Sequence, residues 1–100
     1  MALDGTWLLG RWESAEPGAP HLIFDARGDV RGSDGCNGIA SAYVLTDRGA
    51  GIAPFLMTAM ACAGVDQWLG AVREVRRDGG GLVILDSEER EIGRLQRARE

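Results

Sequence analysis

One histidine, two cysteines and no lysine occur in the 100 residues, so every cationic side chain is an arginine. These scarcities remove whole classes of chemistry. A structural zinc site normally takes four Cys or His ligands and a catalytic one three protein ligands. His21, Cys36 and Cys62 could complete neither without carboxylates from distant turns, so no metal or other cofactor is expected. His21 is also the sole candidate base for a Ser or Cys nucleophile, and the sequence has no Gly-x-Ser-x-Gly elbow. No apolar run approaches membrane-spanning length. The stretch Met1 to Gly10 has no basic segment leading into an apolar one. As written the chain reads as cytoplasmic; an exported or cell-envelope domain whose signal segment had been removed would read the same way.

Excess positive charge is missing too. The net charge is −4, and a field of that sign repels phosphate backbones and anionic lipid, which argues against nucleic acid as a partner. Arginines gather late in the chain, from Arg73 to Arg99, but Glu74, Asp78, Asp86, Glu88, Glu89, Glu91 and Glu100 fall in the same stretch and read as a mixed-charge solvated surface.

What is present suits one self-folding domain over residues 1–100: 45% apolar and 26% charged residues, without a linker, repeat or low-complexity segment. Glycines cluster where apolar runs stop, at Gly28, Gly32, Gly35 and Gly38, at Gly49 and Gly51, and at Gly79 to Gly81. That spacing predicts tight turns between short strands at Gly5–Glu13, His21–Phe24, Asp29–Ser33, Ile39–Leu45 and Ala50–Ala53. Leu82–Leu85 reads as a buried strand, with Glu91–Arg97 as its hairpin partner if Gly93 forms a bulge. One segment changes period: Val65, Trp68, Leu69, Val72 and Val75 recur at three and four residues, which predicts a single helix from Val65 to Val75. The expected fold is therefore α+β, a curved, barrel-like antiparallel meander packed around one α-helix. Trp68, Leu69 and Val72 should meet Phe24, Tyr43, Leu82 and Ile84 in its core.

The loops offer few chemical motifs. Arg27-Gly28-Asp29 reads as a hairpin turn. Asp25, Asp29 and Asp34 lack the spacing of a calcium loop and read as carboxylates bonded to their own turns. Gly32 to Gly38 lacks the Lys-Ser/Thr ending of a phosphate loop.

Taken in order, Trp7, then Phe24, Gly28, Val30 and Gly32 leading into Gly35-Cys36-Asn37, then Tyr43 and Thr58-Ala59-Met60-Ala61-Cys62, resemble the META/HslJ family of small bacterial domains. Asp66-Gln67-Trp68-Leu69, Leu82 and Ile84 extend the likeness over nearly the whole chain. The resemblance implies a structural motif of Gly35, Cys36, Asn37, Thr58, Met60 and Cys62, and it adds Trp7 to the core. It also implies that Cys36 and Cys62 lie near each other, able to form a disulfide. The family has no established enzymatic activity, and some members are linked to stress responses. The expected role is accordingly a non-enzymatic binding or accessory module whose partner, of unknown identity, is a protein. The alternatives are a Cys-dependent redox or hydrolytic activity and a structural oligomerising domain.

Overall fold

Short runs that alternate inward and outward side chains build this molecule. The structure, a computed structural model, describes residues 4–57 and 60–98. Leu22 and Phe24 point inward from one run, Val30 from the next, then Ile39, Leu82 and Ile84, and Leu95. Eight strands result: β1 (Gly10–Glu13), β2 (His21–Phe24), β3 (Asp29–Ser33), β4 (Gly38–Leu45), β5 (Gly49–Ile52), β6 (Glu74–Asp78), β7 (Gly81–Leu85) and β8 (Glu91–Arg97). Each pairs antiparallel with the next, and β8 returns to β1 through Trp12 opposite Arg97 and Glu13 opposite Gln96. An eight-stranded closed barrel has an interior just wide enough for side chains to fill. Here Leu22, Phe24, Val30, Val75, Leu82, Ile84 and Leu95 fill it.

The α+β expectation is thus corrected to an all-β barrel, and the helix expected over Val65–Val75 is absent. In its place stand a 3₁₀ turn, Trp68–Ala71, and the strand β6. The physical reason lies in the spacing. In a 3₁₀ turn residues three apart share a face, so Leu69 and Val72 both reach the core without an α-helix. From Glu74 the period becomes two, with Val75 inward between Glu74 and Arg76. β5 and β7 each need a neighbour to close the barrel, and both take β6. Gly70 and the β-branched valines weaken the helical alternative further.

The expected strand Gly5–Glu13 also divides. Asp4 accepts hydrogen bonds from the Thr6 amide and hydroxyl, a 3₁₀ turn follows at Thr6–Leu8, and β1 starts only at Gly10, whose φ of 105° suits glycine alone. In the last hairpin Ile84 faces Gly93 and Leu85 faces Glu91. Ile92 is therefore the extra residue of a bulge. Trp68 is half-buried and lies across Gly93, where a Cβ would come within 2.5 Å of its ring.

A meander of this kind has two ends. The first gathers the segment before β1 and the turns after β2, β4 and β6. The second gathers the turns after β1, β3 and β7 and the long segment 53–73 between β5 and β6. Each end is stoppered by one 3₁₀ turn, through buried Leu8 at the first and buried Leu69 at the second. At the first end the Trp12 indole N–H donates to the Leu8 carbonyl at 2.8 Å, and the Arg97 guanidinium stacks 4.0 Å over the Trp12 ring while donating to the carbonyls of Trp7 and Leu9. Three of the late arginines form ion pairs, Arg76 with Glu74 and Glu89, Arg90 with Asp86 and Glu88, Arg94 with Asp78 and Glu91. Arg99 and Glu100 lie outside the described residues. No helix is long and apolar enough to cross a membrane among the described residues.

Candidate functional site

The turn between β3 and β4 starts the site. Asp34 and Asn37 close it, the Asp34 amide donating to the Asn37 carbonyl at 3.0 Å. Asp34 Oδ1 accepts the amides of Cys36 at 2.9 Å and Asn37 at 2.6 Å, the self-bonded turn that Asp favours. Gly35 takes φ +99°, and a side chain there would meet Val65 at 2.8 Å.

Across this turn lies the segment between β5 and β6, fastened at several points. Cys36 and Cys62 form a disulfide with their Cα atoms 5.8 Å apart. The Asn37 side-chain amide donates to the Met60 carbonyl at 3.1 Å and accepts from the Met60 amide at 3.2 Å. Gln67 Nε2 donates to the same Met60 carbonyl at 2.6 Å. Gly35, Cys36, Asn37, Met60 and Cys62 therefore meet at the second end of the barrel. Thr58 lies outside the described residues.

Beside these fastenings lies an open cavity of about 440 Å³, lined by Met57, Met60, Ala61, Gln67, Gly70 and Ala71 together with Asp34 and Asn37. Asp34 is fully buried. Its second oxygen, Oδ2, has no hydrogen-bond partner among the described residues. An unpartnered polar atom in a protein interior costs about 1–3 kcal/mol, and more when charged. Gly70 and Met57 close over that oxygen: a Cβ on Gly70 would sit 3.1 Å from Oδ2 and 2.8 Å from the Met57 methyl. Exposed Met60 and Leu56 stand on the same segment, and the Arg73 guanidinium lies 5.2 Å over the neighbouring Phe55 ring.

Other groups lie apart. His21 sits on β2 with Nδ1 3.1 Å from the Ala19 carbonyl. A cleft of about 520 Å³ at the first end is lined by Trp7, Arg48, Arg76 and Arg77 but also by Asp4 and Asp47, so its charge is mixed. Among the described residues no three His, Cys, Asp or Glu side chains are grouped to hold a metal ion.

Sequence reasoning placed Asp34 among the turn carboxylates and overlooked Met57, Gly70 and Ala71 as lining. The one available signal was Asp34 directly preceding Gly35-Cys36-Asn37. A turn of that type uses one carboxylate oxygen and leaves the other to its surroundings.

No curated protein and no solved structure matches the chain. The profile of the META domain matches residues 1–99. With the match running over nearly every residue, the chain belongs to the META domain family.

Proposed function

We propose that this domain is a binding module rather than an enzyme, and that its ligand enters the second end of the barrel beside Asp34. The observation that carries the reading is the buried, unpartnered Oδ2 of Asp34, a residue that lines the open cavity. Selection for stability alone would remove such a group, whereas binding sites keep costly polar atoms to meet a ligand. The exposed apolar side chains of Met60, which lines the cavity, and of Leu56 on the same segment suit contact with a partner. Both sulfurs are tied up in the disulfide, so a thiolate activity would first need a reductant. That bridge also supports an oxidising, exported location.

A fragment screen on protein carrying ¹³C-methyl methionine tests the proposal. Hits should shift the Met57 and Met60 methyls. Hits confined to the Trp7 and Arg77 cleft, or none at all, would refute it.

A further inference from the structure

We infer that the group bound at this cavity is a primary ammonium on an aliphatic arm. The inference rests on the binding reading above and adds the chemistry of what is bound.

Sign comes first. Asp34 is the one charged residue lining the cavity, so a complementary ligand is a cation, and an anion would meet a carboxylate of like charge. Geometry then separates the cations. Oδ1 already accepts two backbone amides, at 2.9 and 2.6 Å, which leaves one oxygen for the ligand. Guanidinium is favoured where both carboxylate oxygens can accept its parallel N–H pair. Ammonium is a compact point charge that one oxygen can serve. A divalent metal wants six or more oxygens, or three to four His, Cys or carboxylate ligands, and the described residues group no such set.

The walls specify the rest. Met57, Met60, Ala61 and Ala71 offer methyl and thioether surface between Oδ2 and solvent, which suits a saturated carbon chain, and methionine adapts its shape to what it contacts. The ammonium reaches Oδ2 by displacing the Met57 methyl, the flexible group that lies where a Gly70 side chain would point, and a side chain at position 70 would take the place so freed. The same chemistry is carried by the lysyl side chain of a partner protein and by a free small amine.

The test uses the full disulfide-bonded chain with ¹³C-methyl methionine, titrated separately with pentylamine, pentan-1-ol, pentanoate, Nα-acetyl-lysine methylamide and its Nε-acetylated form. Pentylamine and the lysine amide should shift the Met57 and Met60 methyls and saturate; the alcohol, the acid and the Nε-acetylated form should bind at least tenfold more weakly, the scale of a charged hydrogen bond. Asp34→Asn should weaken amine binding roughly tenfold or more by the same argument, and Gly70→Ala should block it while leaving the carboxylate in place. The ligand series needs no variant and stands even if a substitution prevents folding. Tighter binding of the lysine amide than of pentylamine assigns a protein side chain, and the reverse a free amine. Equal binding of pentan-1-ol or pentanoate, or amine binding indifferent to Asp34→Asn, overturns the ammonium inference while the binding reading survives. No methyl shift with any of the five compounds overturns both.

Discussion

Reducing the Cys36–Cys62 bond should destabilise the domain by an amount the chain itself sets. The bond joins residues 26 apart, closing a loop of about 27 residues, for which the loop-entropy relation gives roughly 3.5 kcal/mol. Unfolding entropy runs near 2.1 cal/mol/K per residue, or about 0.2 kcal/mol/K for a chain of this length, so Tm should fall by about 17 °C. The bridged segment keeps other fastenings after reduction, the paired hydrogen bonds of Asn37 and Met60 and the buried Leu69 and Val72. The barrel should therefore still form and melt cooperatively, only earlier. Calorimetry with and without a phosphine reductant measures the shift, and alkylation followed by mass spectrometry verifies that both thiols are free. The Cys36→Ser/Cys62→Ser double variant should melt close to the reduced wild type. A fully reduced protein that melts within about 3 °C of the oxidised one would refute the entropic account and show that the segment is held by its remaining contacts.

Gly93→Ala should cost about 1–3 kcal/mol in denaturant unfolding, because the added methyl meets the rigid Trp68 ring. Trp68→Ala should cost less than the roughly 3–5 kcal/mol of a fully buried ring, since Trp68 is half-buried. Asp34→Asn should leave Tm unchanged or raise it, because it removes a buried charge whose second oxygen has no partner; a clear drop would reveal a stabilising contact at Oδ2. Acid should destabilise the fold through its turns. The Asp29 amide above all holds Asp25 below the usual carboxylate range, and the Arg90 amide does the same for Asp86. A depressed carboxyl contributes fully above its unfolded pKa of about 3.9 and loses that contribution as pH falls through the lower folded value. Denaturant midpoints measured from pH 5 down to pH 2 should decline over that window, and Asp25→Ala should flatten the slope.

Short strands bounded by turn residues were readable from the chain alone: His21–Phe24 and Asp29–Ser33 coincide with β2 and β3, and Glu91–Arg97, whose alternation a bulge interrupts, with β8. The segment after Gly64 was not, because spacing of three is common to an α-helix, a 3₁₀ turn and a turn that runs into a strand. Leu69, Val72 and Val75 lie three apart and are all buried, yet they belong to two different elements and the link between them. The deciding fact was non-local, the requirement of β5 and β7 for a strand between them. The site divides in the same way. Cysteine and asparagine positions are local motif features, whereas the free oxygen of Asp34 depends on Gly70 and Met57 arriving from a segment more than 20 residues later.

Closure of the barrel through β1 and β8 also bears on synthesis. While the chain emerges, β2 can pair with β1 and each later strand with its predecessor, but the outer edge of β1 waits for Gln96 and Arg97. Until those residues leave the ribosome, an edge able to recruit a strand from another chain stays open. The ladder that closes the ring joins the first and last strands of the barrel, the kind of distant contact that slows folding. The partly synthesised domain is thus open to association with its own copies until β8 arrives, and completing the ring withdraws that edge.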